Sequence, residues 1–367
     1  MSVTERISHN QLRAAVVVFL IGSTPLFELG IKQKTDAWLV AGLGFAFGYL
    51  LMLLFLAVQK FDPSCNLVEL LKRNFGKIAG TAVSLLYVLY FAYEAMRNVR
   101  DIGDLTIMTL LDRTPLGVVM IVLVLLVAYA VYQGIEVVFR LAEILIWGIL
   151  FFYLGLVIIM FLSGNAFFRH LLPLFDTGVA AVVVAALRDA TPFPFGQIVV
   201  FLMFFSSAAY RPGWSRFVQA GFVIAGLVIL STNVINLAVL SAPVVQISAI
   251  PFLQTVQSFE VAYGVGRFDV FVVILLYVGI FMKATVWALA AVTALTAAVG
   301  LSRKKATALL SAAIYGSAFY APSWPEHIRI GEIVALEYGM NPFFIGLIPF
   351  LLLITMLLKR LSSRRIR

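Results

Sequence analysis

Glu94, Arg97, Arg100, Asp101, Asp104 and Lys283 lie inside long apolar runs of this sequence, where charge is expensive. At the centre of a bilayer each such group costs at least about 2.5–3.5 kcal/mol, so each needs a partner or a task. Along a helix, Glu94 and the four charges after it fall within one arc of about 120°. Arg97 is spaced to pair with Asp101 and Arg100 with Asp104, at i,i+4. Those four read as a self-neutralised structural stripe. Glu94 and Lys283 stand apart from that stripe. Glu94 suits the ammonium group of a small ligand, and Lys283 suits the place of a coupling cation or the neutralisation of Glu94 when the site is empty. The competing explanation is a buried Glu94–Lys283 bridge that only fixes helix packing.

Enzyme chemistry finds no footing. There is no phosphate loop or nucleophile elbow. His9, His170 and His327 stand far apart in connecting segments, without metal-ligand spacing. Cys65 is the one cysteine. No metal and no cofactor is expected.

The elements that hold these charges are membrane helices. Hydrophobic residues make up 62% of the 367 and charged residues 12%, with a mean hydropathy of +1.02. Soluble domains have about 45–50% and about 25%. Spans of about 20 apolar residues cross hydrocarbon, and lipid satisfies no backbone groups, so each span is a helix. The runs are continuous rather than alternating, which excludes a barrel. Ten segments are expected, at roughly 10–31, 37–58, 79–109, 115–133, 139–163, 180–209, 214–240, 269–299, 304–321 and 342–359. The first is read as a retained span, since no small-x-small cleavage site follows it. A short amphipathic helix is expected from Leu67, and another over Pro251–Tyr263 at the outer surface.

With both ends on one side, that side collects Arg6, Arg13, Lys60, Lys72, Arg73, Lys77, Arg140, Arg211, Arg216, Arg303, Lys304, Lys305, Lys359, Arg360, Arg364, Arg365 and Arg367. The other has Lys32, Lys34, Arg113, Arg169, Arg267 and Arg329. The bias places both termini in the cytoplasm. It also accounts for the net charge of +9 through lipid headgroups, without nucleic acid.

Two segments are interrupted near their middles. The first carries Gly22-Ser23-Thr24-Pro25, and the sixth carries Thr191-Pro192-Phe193-Pro194-Phe195-Gly196. Proline removes a donor and glycine permits non-helical angles. Breaks five segments apart predict one polytopic domain over 1–367, made of inverted repeats at about 10–163 and 180–359. This is an all-α membrane fold of ten helices in a five-plus-five (LeuT-type) arrangement. Glu94 lies about 22 Å along its segment and Lys283 about 24 Å along its own, so both meet the breaks near one depth. Backbone N–H groups at Gly22, Ser23 and Thr24 suit a carboxylate. Tyr90, Tyr93, Phe193, Phe195 and Tyr277 are candidate walls, beside Gly196 at the second break.

Short motifs run through the chain in a fixed order. Ile7-Ser8 and Gln11 precede Gly22-Ser23-Thr24. Lys34-Thr35-Asp36-Ala37-Trp38 opens the second segment, and Phe75-Gly76-Lys77 with Gly80 opens the third. Asp112-Arg113-Thr114-Pro115, Leu172-Pro173-Leu174, Phe193-Pro194-Phe195-Gly196, Pro251-Phe252 and Gln257-Ser258-Phe259-Glu260 follow. From about residue 7 to 360 this order resembles the B subunit of bacterial spore germinant receptors, within the amino acid–polyamine–organocation transporter superfamily. The resemblance implies a subunit of the spore inner membrane that senses small nutrients, often amino acids. It implies an A subunit and a C-subunit lipoprotein as partners. Ligand positions would fall on Gly22 and Glu94, near Phe195 and near Lys283. The chain departs from the family at Pro25, at Gln197, where an acidic residue often follows the glycine, and in its charged pair at Glu94 and Lys283. A germinant sensor is the first reading. A proton- or cation-coupled amino acid permease or antiporter and a structural subunit with a vestigial site are the alternatives.

Overall fold

The computed structural model describes residues 6–162, 164–209, 212–263 and 268–365, and these contain helices and no strand. Arg211, Arg267 and Arg367, used above for orientation, lie outside them, as do the side chains of residues 162, 260–263 and 363–365, Arg364 and Arg365 among them. In chain order the helices are α1 His9–Ile21, α2 Ala37–Phe61, α3 Leu67–Phe75, α4 Lys77–Thr109, α5 Leu116–Gln133 and α6 Ile135–Leu162. They continue as α7 Val179–Ala185, α8 Phe205–Ala208, α9 Trp214–Leu240, α10 Ala242–Ile247 and α11 Pro251–Tyr263. The last are α12 Asp269–Val299, α13 Arg303–Ser317, α14 Trp324–Glu332 and α15 Ile348–Arg365. Among the described residues, eight helical stretches are long and apolar enough to cross a membrane. The remaining two of the ten expected segments are α1 and α13, with 13 and 15 residues.

α1 starts where Ser8 caps it: Gln11 N–H donates to Ser8 Oγ at 3.1 Å, and Ser8 N–H donates to Gln11 Oε1 at 2.9 Å. This reciprocal box satisfies two otherwise orphaned donors. The helix stops at Gly22, whose backbone (φ 19°, ψ −110°) leaves the helical region. A 3-10 turn over Thr24–Leu26 follows, entered through Pro25. Segment six breaks in the same manner. α7 loosens into a π turn over Ala186–Ala190, the chain turns at Thr191–Pro194, and a 3-10 stretch runs over Phe195–Met203 into α8.

α4 and α12 form the most extensive helix pair, and α1 is wrapped by α6, α9 and α12. The contacts come in matched sets, as two inverted repeats require. α1 on α9 mirrors α2 on segment six, α5 packs on α13, and α4 on α13 mirrors α5 on α12. At the end of the bundle that carries the termini, lysines close two helix C-termini. Lys72 Nζ donates to the carbonyls of Ala297 and Ala298, and Lys359 Nζ to those of Arg73 and Asn74. The cations meet the negative ends of those helices.

α3 and α11 form where amphipathic helices are expected. α11 buries Phe252, Thr255 and Val256 against its neighbours rather than lying free on the surface. α14 is a helix the sequence reading does not anticipate.

Gly279 of α12 is where that helix reaches the break in α1. A Cβ there would stand 2.8 Å from the Gly22 carbonyl oxygen. Gly279→Ala is therefore expected to destabilise by about 1–3 kcal/mol, the range for overpacking. Gly42→Ala, which meets nothing within 4 Å, serves as control. Thermal unfolding of the purified variants checks this, and equal melting of both would refute the close approach.

Candidate functional site

α4 carries Glu94, Arg97, Asn98 and Asp101 at i, i+3, i+4 and i+7, the spacing that puts four side chains on one face of a helix. Opposite that face, the two broken segments leave an opening. The result is a cavity of about 250 Å³. Ser23, Phe27 and Glu28 line it from the first break, Asp189, Phe193 and Gln197 from the second, and Asn341 from the approach to α15. Its mouth lies away from the termini, between the 30–32 turn and α14, where Lys32 pairs with Glu332. Phe27 stacks on Trp324 beside it, with ring centroids 6.2 Å apart. On the outside of α14, hydrogen bonds from Arg329 hold the Glu326 carboxyl below its ordinary range.

Toward the termini the cavity ends on packed rings. Tyr90 stacks on Phe344 at 4.6 Å, Trp287 meets Phe19, Tyr90 and Phe91, and Phe19 meets Phe201. The Tyr87 hydroxyl donates to the Phe344 carbonyl at 2.7 Å. Phe19, Tyr87, Tyr90, Phe91, Phe201 and Trp287 are buried.

Glu94 is 7% exposed, and its Oε2 accepts from Gln197 Nε2 at 3.0 Å across the second break. Asn98 Nδ2 donates to the Glu94 carbonyl at 2.8 Å. Glu28, also 7% exposed, accepts from Asn236 Nδ2 at 2.9 Å, and Thr255 donates to Asn236 Oδ1. Four buried acceptors on the lining have no hydrogen-bond donor among the described residues: Glu28 Oε1, Asn98 Oδ1, Gln197 Oε1 and Asn341 Oδ1. A group with several N–H donors is the chemistry that satisfies such a wall.

The structure sorts the residues singled out from sequence. Ser23, Glu94 and Phe193 line the cavity together. Gly22, Thr24, Tyr90, Phe195 and Gly196 do not. The Gly22 N–H donates to the Val18 carbonyl, and the Thr24 hydroxyl to that of Leu20. Tyr90 belongs to the aromatic floor, and Phe195 packs on Phe45 and Phe222. Gly196 N–H donates to the Thr191 carbonyl. Of the further aromatic candidates, the Tyr93 hydroxyl lies buried beside Arg97, and Tyr277 hydrogen-bonds Thr106.

Lys283 is 0% exposed and makes no ion pair with Glu94 within 4.0 Å. Its ammonium stands 4.7 Å from the Phe193 ring centroid and 5.5 Å from that of Phe19, a cation–π arrangement. Its Cδ would lie 2.6 Å from a Cβ placed on Gly22. It therefore touches the break and a lining ring without lining the cavity.

The polar stripe departs from expectation in one pair. Arg100 Nε donates to Asp104 at 2.6 Å, and its Nη1 reaches the carbonyls of Ala318 and Ala321, so it braces the end of α13. Asp101, however, does not pair with Arg97. Its Oδ1 lies 2.9 Å from Nε2 of His327 on α14, whose Nδ1 meets the Tyr320 hydroxyl at 2.8 Å. A carboxylate only accepts, so Nε2 is the nitrogen that carries its proton toward Asp101. Arg97 is left facing the cavity, against Gly331 of α14. The sequence reading passes over Glu28, Asn98, Asp189 and Asn341. Glu28 meets the same criterion as Glu94, a charge inside an apolar span.

A family model described as spore germination protein matches residues 6–327. Spore germination protein KB of Bacillus subtilis (strain 168) is 30% identical over 362 residues, covering 97% of this chain and 95% of that protein. Among solved structures, a nucleobase–cation symport-1 family transporter, in a closed conformation with bromovinylhydantoin bound, superposes with a TM-score of 0.68 at 11% identity. The match covers 93% of this chain and 78% of the transporter. A manganese transporter of Eremococcus coleocola superposes with a TM-score of 0.55 at 13% identity, over 95% and 76% of the two chains. The fold is that of inverted-repeat transporters.

The buried His327–Asp101 contact and the exposed Lys32–Glu332 contact both hold α14 over the cavity, but not equally. His327→Ala strands a buried carboxylate and is expected to cost about 3–5 kcal/mol. Lys32→Ala is expected to cost at most about 1 kcal/mol. Denaturant unfolding compares them, and equal losses would show that the Asp101 contact is not buried as described.

Proposed function

From the fact that this chain belongs to the spore germination protein family, we propose that it is the membrane subunit of a germinant receptor that binds a small amino acid in the midplane cavity. The binding signal passes to an A subunit and a C-subunit lipoprotein in the spore inner membrane. The observation that carries this reading is the cavity wall, where buried acceptors without donors surround Glu94 at the depth of both helix breaks. An ammonium group brings three donors and one positive charge to that wall. Glu94, steadied by Gln197, is its counter-charge. From the first break, Ser23, Phe27 and Glu28 face the ligand.

Occupancy favours the conformation in which α14 and the first break close over the ligand, and a partner subunit senses that shift. A ligand moves such an equilibrium only by its differential affinity for the two states. The solved transporters with this fold favour a second reading, in which the same site carries its ligand across. In both, the Lys and Arg bias puts the termini in the cytoplasm and the cavity mouth on the opposite face.

Thermal unfolding of the purified protein against a panel of amino acids tests the site. At 100 times Kd a ligand stabilises by about 2.7 kcal/mol, a clear rise in melting temperature. Glu94→Gln is expected to abolish that rise. Silence across the panel, or an unchanged response in Glu94→Gln, would end this reading. Uptake into liposomes then separates sensor from carrier. Orientation has its own check in Cys65, which is free and half-buried in the turn before α3. A membrane-impermeant thiol reagent should label it in inverted vesicles and not in right-side-out ones, and the reverse pattern would overturn the topology.

A further inference from the structure

The carboxylates on the cavity wall each have a polar partner, while one cation there has no carboxylate. Lys32 pairs with Glu332 and Asp101 with His327. The Glu94 and Glu28 carboxylates each take a side-chain amide. Arg97 lines the same cavity and has no carboxylate within 4.0 Å among the described residues. A guanidinium held at this depth has given up most of its water without gaining an ion pair. Its planar fork of N–H donors fits the two oxygens of a carboxylate. Room for it is built into the fold: a Cβ at Gly331 would overlap the guanidinium, so α14 approaches there with a residue that has none.

Spacing ties Arg97 to the rest of the site. It follows Glu94 by three residues on α4, so the two side chains start from Cβ atoms about 5–6 Å apart on one helix face. An α-amino acid carries its ammonium and carboxylate on a single carbon, so it can reach both at once. The groups expected from sequence to hold the carboxylate are engaged elsewhere. The Gly22 N–H and the Thr24 hydroxyl are both committed to carbonyls of α1.

We propose that Arg97 is the anion receptor of the cavity, reading the carboxylate of the ligand while Glu94 reads its ammonium. This rests on the amino-acid reading for the second half of the pair. The first half, carboxylate recognition, stands without it. The stripe on α4 is then part structural and part recognition surface: Arg100 and Asp104 brace the bundle, and Arg97 faces the ligand.

The test titrates propionate, L-alanine and L-alaninamide against the melting temperature of the full-length protein, as wild type, Arg97→Gln and Arg97→Lys. Wild type is expected to respond to L-alanine most, to propionate less, and to the amide not at all. Arg97→Gln should need at least about tenfold more of either carboxylate for half the effect, and Arg97→Lys, a charge without the fork, should fall between. Equal half-saturation of wild type and Arg97→Gln by the carboxylates would overturn the assignment. So would a wild type stabilised as well by L-alaninamide as by L-alanine, or by neither carboxylate, and these readouts need no variant to fold. An Arg97-dependent response to propionate with no gain for L-alanine would uphold the anion receptor and overturn the amino-acid reading instead.

Discussion

A helix broken inside hydrocarbon must find new partners for its backbone, because lipid offers none. This chain breaks two, and the rest of the bundle is arranged around satisfying them. At the first break, Gly22 N–H still reaches Val18, the Thr24 hydroxyl folds back to Leu20, and Gly279 lets α12 press close enough to exclude lipid. At the second, Thr191 bonds back to Ala186 through both its N–H and its hydroxyl, and its carbonyl takes the Gly196 N–H. With those groups satisfied locally, the breaks are defined turns rather than loose ends.

Much of this was legible in the residues. Proline and glycine in the middle of two apolar runs, five segments apart, are a strong sign of paired breaks, since each removes or bends what a spanning helix requires. The apolar runs themselves mark the helices to within a few residues, as at Lys77–Thr109 and Trp214–Leu240. α14 carried readable signals too, with Ser323 before it, Pro325 in its first turn and Glu326 beside it. What hid it was its charge and shortness, which resemble an ordinary connecting loop.

The site was harder to read, for a reason seen at Arg97. Spacing along one helix says which charges can meet, and i,i+4 pairing was the natural assignment for Arg97 and Asp101. Tertiary structure supplied Asp101 with His327, 226 residues away, and released Arg97. No periodicity within α4 contains that competitor. The same holds for Lys283. Its depth was inferred from helix length, yet aromatic faces rather than a carboxylate hold its ammonium. Contacts between distant segments decide which of several plausible partners wins, and a lone sequence does not rank them.

The aromatic floor has an electrical meaning. A hollow that admits water to the depth of Glu94 thins the insulating layer of the membrane over part of its width. What remains beneath must stay dry, or ions will follow the water through. Phe19, Tyr87, Tyr90, Phe91 and Trp287 fill that depth with interlocked rings, and none is more than 1% exposed. The field across the bilayer therefore drops mainly over this short plug. Any charge that moves within it, Lys283 foremost, senses far more of the membrane voltage than a charge moving in the wet part above.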